Sequence, residues 1–586
     1  MTTAEHPLPA QQHKGAARKA EGFATPKQDT KPQCARMLPK RVLPIIFLPG
    51  IMGSNLRMSA RRQKELRQKD NIAWRPDILG ATNIYANSKS QPRERQLRLD
   101  PLQTTVDIYD PSGPLDVVGD GRHGNVKLKK NFRSPLLVDD PATMPNGHTS
   151  VQKARARGWG EVYFKSYGDL LQHLEQRLNN TFSEGKLQQE WRDVVGINPQ
   201  IWNADSRLPQ QVLTEDELKK VVAGCWFAVY AFGYNWLQSN GESAKAIAAR
   251  ISKVIDDLNG SGYECNKVIV ITHSMGGLVG RALIHPKFGN LQDKVLGIVH
   301  GVMPAIGAPA AYKRMRAGFE DPGVIGGPSA IEASIGAKVA GSYGDEVTAV
   351  LANAQGGLQL LPTESYGNSW LRIRHNGREL ETWPKRGDPF SEIYKLRGKW
   401  YALFRDDWIN PSGMTPEQGG GSFERTSRYL DRVQSFHQMI VNTYHPSSYA
   451  HYGADRARQS FGEVIWEIRD CADPTGWQNW PIVSDNLQGK VEFTPWNADG
   501  NGNLAADLPF SDAMPSVAHA LILPPSAPGD QTVPAKSADH QLNSGMFKGI
   551  FRQTGYEHQA SYKDPRAIAS TLYSIVRIAQ NAIWKC

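Results

Sequence analysis

Short, continuously apolar runs recur along this chain: Val42-Leu43-Pro44-Ile45-Ile46-Phe47-Leu48, Trp226 to Phe232, Val268 to Ile271 and Val295 to Met303. Runs of this length, rich in β-branched and aromatic residues and bounded by glycine and polar positions, predict strands buried on both faces, as in a parallel sheet. Between them the period changes. Ala244, Ile247, Ile251, Val254, Ile255 and Leu258 recur at the spacing of one helix face from about Glu242, and Leu278, Val279, Ala282 and Leu283 do so after the third run. A last strand is expected over Phe547 to Arg552, then a C-terminal helix carrying Ile568, Leu572, Ile575 and Ile578. Strand, helix, strand and helix in this order predict an α/β fold with a doubly wound, mostly parallel sheet.

The remaining chain is too long to be the connections of such a sheet, so large cap and lid regions are expected between its strands. The pattern assigns the core to residues 41–56, 226–310 and 506–586. Residues 57–225 read as an insertion, partly helical and part of the cap, in which Tyr167, Leu170, Leu171, Leu174 and Leu178 share a helix face. It opens with RMSARRQKELRQK (57–69), a basic stretch that suits either anionic headgroups or a solvated helix face. Residues 311–505 read as lid and cap. Their first part, 311–362, is dense in Gly, Ala and Ser with scattered apolar positions, the texture of a mobile cover or of a tightly packed helix pair. After residue 363 Trp, Tyr and Arg become frequent, and a helix is expected near 427–444. Residues 1–40 predict a flexible tail without the apolar run of a signal peptide, hence a chain made in the cytoplasm without a leader. No stretch of eighteen apolar residues suggests a membrane-spanning helix.

Composition changes this picture little. The 586 residues are 40% hydrophobic and 22% charged, as in ordinary globular proteins. A net charge of +10 suits an anionic surface but is modest for the length, so nucleic acid is not an expected partner. Cys34, Cys225, Cys265, Cys471 and Cys586 form no C-x-x-C pair and no metal-ligand spacing, which suits thiols packed in a reducing compartment. From Asn497 to Asn503 oxygen side chains alternate, with Gly502 at the sixth position of an EF-hand-like loop. Leu508 stands where a bidentate Glu would close it. That run reads as an Asx-Gly turn, and no metal is expected.

Candidate chemistry enters at the third run. Thr272-His273-Ser274-Met275-Gly276-Gly277 puts a serine at the apex of a strand–turn–helix, the form of a nucleophile elbow. Thr272 occupies the usual first glycine, so packing on the strand side must differ. The turn Pro49-Gly50-Ile51-Met52-Gly53 follows the first strand; the backbone N–H of Ile51 or of Met52, joined by that of Met275, would form an oxyanion hole. Asp530, in the turn GDQTVP after a strand expected at Leu521-Ile522-Leu523, is the candidate acid, and His558 after the last strand the candidate base. Serine, acid and histidine in this order match α/β-hydrolases. His273 is read as a neighbour of the oxyanion site, His300 as a strand residue and His437 as a helix residue.

The stretches LPGIMGSNL (48–56), VYAFGYNW (229–236), ITHSMGG (271–277), LQLLP (358–362) and GDQTVP (529–534) resemble the lecithin:cholesterol acyltransferase and GPI inositol-deacylase-like branch of lipid esterases. With GYEHQASY (555–562) they resemble a bacterial type VI secretion lipase effector carrying such an α/β-hydrolase domain. The resemblance implies a Ser274–Asp530–His558 triad without a cofactor, acting on membrane phospholipid esters through peripheral contact. It also implies type VI secretion into the periplasm of target cells and a cognate immunity protein as inhibitor. Asn235 departs from the Asp frequent in the acyltransferase branch. The same machinery would serve an acyltransferase or a thioesterase, and a catalytically idle fold would bind lipid or a partner instead.

Overall fold

A computed structural model describes residues 39–78, 90–109, 125–144, 147–319, 341–413, 421–494 and 517–584, together with three strands nearer the N-terminus. Six strands form the central sheet: β1 (Ile45–Leu48), β2 (Val229–Ala231), β3 (Val268–His273), β4 (Val295–Gly301), β5 (Ser448–Gly453) and β6 (Phe547–Gln553). Their order is β2-β1-β3-β4-β5-β6, and every pairing is parallel.

Every residue of β1, β3 and β4 is buried, as a sheet covered on both faces requires. On one face α1 (Phe164–Asn179) and the C-terminal helix Pro565–Ala579 pack with Ile45, Phe47, Ile269 and Ile271. On the other, α2 (Asn240–Gly260) and α3 (Gly276–Ile284) pack with Ile46, Leu48, Val268 and Val270. Alternate residues of one strand therefore feed opposite layers. Each such aliphatic side chain stabilises the fold by about 1.5–3 kcal/mol relative to leaving it exposed. α2 begins at Ser239, whose side chain accepts the N–H of Gly241 and satisfies one of the unpaired donors of the first turn.

Three assignments differ from the sequence reading. β5 lies inside the central sheet although its residues fall in the stretch read as cap. Ser448-Tyr449-Ala450-His451-Tyr452-Gly453 is buried throughout, yet half of it is Ser, His or Gly, so it shows no apolar run. α1, read as part of an insertion, covers the central sheet directly. The strand Ala518–Ile522, expected to resume the core, belongs to a second sheet.

That second six-stranded sheet runs in the order 378–383, 371–375, 464–469, 518–522, 490–493, 482–485. It is antiparallel except where Leu371–His375 pairs with Val464–Arg469. Its core is aromatic: Trp400 meets Trp466 edge-on with ring centroids 5.4 Å apart and Phe493 at 5.1 Å. The helix Ser422–Ile440 joins the two units, with Leu430 and Val433 in the aromatic core and Phe436 and Ile440 in the core beneath the central sheet.

Near the N-terminus Ala10–Gln12, Arg18–Gly22 and Gln33–Met37 pair into an antiparallel sheet where composition predicts a tail. Strands this short and polar leave no alternation to read. Cys225 and Cys265 are free and buried, and burial pushes both thiols up, Cys265 to about 12. No described helix is long and apolar enough to cross a membrane. The Asn497–Leu508 run and residues 320–340 of the expected lid lie outside the described residues.

Candidate active site

β3 ends at His273 and α3 begins at Gly276, so the chain turns within two residues. Ser274 takes a φ of 52°, a left-handed conformation that costs a non-glycine residue on the order of 1–3 kcal/mol. Two bonds hold it there: Ser274 N–H donates to Gly301 O at 2.8 Å, and Gly277 N–H to Ser274 O at 2.9 Å. Gly276 is obligatory, because a Cβ there would lie 2.5 Å from the carbonyl oxygens of Leu48 and Pro49. Thr272 is accommodated by a glycine that sequence reading did not single out. A Cβ on Gly280 would come within 3.1 Å of the Thr272 methyl, whose hydroxyl meanwhile hydrogen-bonds His300 Nδ1 at 3.2 Å.

The structure brings Ser274, His558 and Asp530 together. His558 Nε2 lies 2.8 Å from Ser274 Oγ, and His558 Nδ1 lies 2.8 Å from Asp530 Oδ2. Asp530 is buried, and its Oδ1 accepts the amides of Thr532 and Val533 at 3.1 and 2.7 Å. The second carboxylate oxygen is left for the imidazole. With Nδ1–H donating to the carboxylate, Nε2 is free to accept the serine proton. Main chain ties the two loops as well, His558 N–H donating to Asp530 O at 2.9 Å.

Asp530, the candidate acid, does not directly follow the strand that the sequence suggested. It closes the short strand Ala527–Gly529, which pairs with Asp455–Ser460 just beyond β5. Gly453, the last residue of β5, makes room, since a Cβ there would lie 2.8 Å from the Cβ of Asp530.

The Gly50–Gly53 turn closes through Gly53 N–H to Gly50 O at 3.1 Å, with Met52 at a φ of 61°. Ile51 and Met52 line one cavity with Ser274 and His558. The amides of Ile51, Met52 and Met275 have no acceptor among the described residues, and Met275 directly precedes α3.

Beneath the turn sits a pair that sequence reading half missed. Tyr167 O–H donates to His273 Nδ1 at 3.0 Å and accepts Gly50 N–H at 3.3 Å, while His273 Nε2–H donates to the carbonyl of His558 at 3.0 Å. Burial holds His273 well below the usual histidine range, so the ring is neutral, and the acceptor carbonyl fixes its proton on Nε2. Burial also pushes the Tyr167 hydroxyl up to about 12. The glycines of the turn leave space for the pair: a Cβ on Gly50 would lie 2.9 Å from His273 Nδ1, and one on Gly53 3.0 Å from the Tyr167 hydroxyl. The sequence expects His273 beside the candidate oxyanion turn, and its ring lies against Gly50 of that turn. Tyr167 read only as part of an apolar face; the available signal was a tyrosine on a buried face, whose hydroxyl needs a partner. Tyr167→Phe keeps the ring and removes the hydroxyl. It is expected to lower kcat about tenfold at unchanged KM, because His273 Nδ1 loses its donor and Gly50 N–H its acceptor, measured on a soluble ester.

His300 and His437 are buried and held at about 3 by desolvation, and His437 Nε2–H donates to Gln359 O at 3.0 Å, so both are packing residues. Among the described residues no group of three or more His, Cys, Asp or Glu could hold a metal ion. The cavity above Ser274 has a volume of about 220 Å³. Trp74, Leu99, Trp236, Val347, Leu351 and Leu360 give it apolar walls, and Gln531, Thr532, Glu557 and Gln559 supply polar groups on the His558 and Asp530 loops. Burial raises the Glu557 carboxyl, which accepts the amides of Gln559 and Ala560 at 3.0 and 2.5 Å.

No protein-family model matches the chain, and no curated protein does. Among solved structures, a chain of the crystal structure of the Tle4–Tli4 complex is similar at 30% sequence identity and a TM-score of 0.70. The likeness covers 93% of this chain and 99% of that one.

Proposed function

Because the chain belongs to the Tle4 family, we propose that it is a serine hydrolase of the phospholipase type, cutting acyl esters of membrane phospholipids through an acyl-enzyme. One observation carries the reading: a hydrogen-bonded Ser274–His558–Asp530 array, with the serine on a strained turn, opening onto an apolar cavity. In this mechanism His558 Nε2 takes the proton of Ser274 as Oγ attacks the ester carbonyl. Asp530 holds the imidazole in the tautomer that can accept it and stabilises the imidazolium. The amide of Met275 and that of Ile51 or Met52 bind the oxyanion, each donor lowering the barrier by about 3 kcal/mol. His558 then protonates the leaving alcohol, and water, activated by the same imidazole, releases the fatty acid. The apolar walls suit an acyl chain, and the array needs no cofactor.

The fold fits an α/β-hydrolase wound on both faces of its sheet, with the aromatic second unit as its cap. The motifs shared with type VI lipase effectors support a toxin secreted into the periplasm of target cells. The Tle4 relative is known in complex with Tli4, which supports a cognate immunity protein as a partner for this chain.

The test is fatty-acid release from mixed phospholipid vesicles, with lysophospholipid identified by mass. The protein is expected to release fatty acid and the Ser274→Ala variant none. A folded wild-type protein that releases nothing from any phospholipid would overturn the reading.

A further inference from the structure

The basic stretch RMSARRQKELRQK is not used by the array around Ser274. From Arg57 to Asp70 six basic residues stand against two acidic ones. Its centre folds as the helix Ala60–Glu65, and Arg61, Lys64, Arg67 and Lys69 are exposed. Arg61 pairs with Glu65 at 2.9 Å; Lys64, Arg67 and Lys69 have no ion-pair partner among the described residues. Arg62 turns inward instead, bonding Asp100 at 2.8 Å.

That bond, with Ser59 Oγ–H donating to Gln103 Oε1 at 2.6 Å, fastens the turn 100–103 to the helix. Asp100 stiffens the turn from within, its Oδ1 accepting Leu102 N–H at 2.9 Å and its carbonyl accepting Gln103 N–H at 3.0 Å. The side chain so mounted is Leu102, 76% exposed. Three residues earlier Leu99 lines the cavity above Ser274. Trp74 lines it too, on a strand that pairs with Leu56–Met58 at the root of the helix. An outward leucine, fixed to a cationic helix, therefore flanks the cavity that would take the acyl chain.

We propose that the helix Ala60–Glu65, the residues to Lys69 and Leu102 form the surface by which this protein docks on an anionic lipid bilayer, with Leu102 entering the headgroup–acyl boundary. This rests on reading the chain as a lipid esterase. The occupant follows from charge and polarity together: cations without partners attract acidic headgroups, and an apolar residue among them gains only where the partner has an apolar layer beneath its charge. Docking there would set the cavity against its substrate, so productive encounters depend on surface composition and fall with salt.

The test uses the full chain as Ser274→Ala, which cannot consume the membrane, in co-sedimentation with phosphatidylcholine vesicles with and without phosphatidylglycerol. Binding is expected to the anionic vesicles, to weaken with salt, and to fall at least tenfold in a Lys64→Glu/Arg67→Glu/Lys69→Glu variant, with Leu102→Ser weakening it independently. All four positions are exposed, and circular dichroism checks the fold. The same substitutions in the active protein are expected to leave turnover of a soluble short-chain ester unchanged while slowing hydrolysis of anionic vesicles. Equal binding by parent and charge-reversed protein, or equal binding to both vesicle types, would overturn the proposal. If no form turns over the soluble ester, the esterase reading fails, whereas vesicle binding still decides the docking surface. Intact vesicle binding with lost binding of a protein inhibitor would assign the surface to that inhibitor and overturn it too.

Discussion

Ser274→Ala and His558→Ala are each expected to lower kcat on a soluble ester by on the order of a millionfold, and the double variant to be no slower than either alone. The two residues share one step: without the imidazole the hydroxyl keeps its proton, and without the hydroxyl the imidazole has nothing to activate. Residual turnover then comes from the oxyanion donors and the cavity, which neither substitution touches. His558→Ala should leave the loop in place. Its N–H still donates to Asp530 O, and its carbonyl still accepts from His273 Nε2, since both contacts are main chain on the His558 side. Stopped-flow and long-time assays of the single and double variants measure the coupling. Losses that multiply in the double variant would show that the two residues act in separate steps.

Asp530→Asn is expected to cost about ten-thousandfold in kcat while barely changing stability. The carboxamide oxygen can take the position of Oδ1 and keep the amides of Thr532 and Val533. Its NH₂ then faces His558 Nδ1, where the carboxylate oxygen stood at 2.8 Å. Two donors cannot share that contact, so the imidazole must present a lone pair at Nδ1 and carry its proton on Nε2. It then points a proton at Ser274 and cannot take one. Asp530→Ala should lose the same activity and also destabilise the turn, because the buried amide of Val533 and the half-buried amide of Thr532 lose their acceptor. Comparing thermal melts of the two variants separates orientation from folding. An Asn variant within tenfold of wild type would remove Asp530 from the role, leaving Glu557, one residue before His558, as the carboxylate to examine.

The sequence was legible where burial is two-sided and local. β1, β3 and β4 had to be continuously apolar because helices cover both faces, and they stand out for that reason. The meeting of Ser274, Asp530 and His558 could be anticipated because each sits in a turn with its own local signature and the chain order is informative. β5 could not, since its tyrosines and His451 are buried by tertiary packing rather than by composition. Neither could the position of Asp530, which depends on Gly453 and on a strand pairing outside the central sheet. The proposed oxyanion donors are main-chain groups, so side-chain identity says almost nothing about Ile51 against Met52. Tyr167 was hidden for another reason: its partner His273 lies 106 residues away, and no pattern along one helix reports such a contact.

The connectivity of the central sheet also fixes an order of events at the ribosome. Among the described residues β1 pairs only with β2 and β3, and Val229 is made about 180 residues after Leu48. At roughly 5–20 residues per second, Ile45-Ile46-Phe47-Leu48 waits on the order of ten to forty seconds without either neighbour. A strand that ends wholly buried thus begins as a sticky nascent segment, and the yield of native protein should depend on holdase chaperones and on synthesis rate more than on the stability of the finished fold.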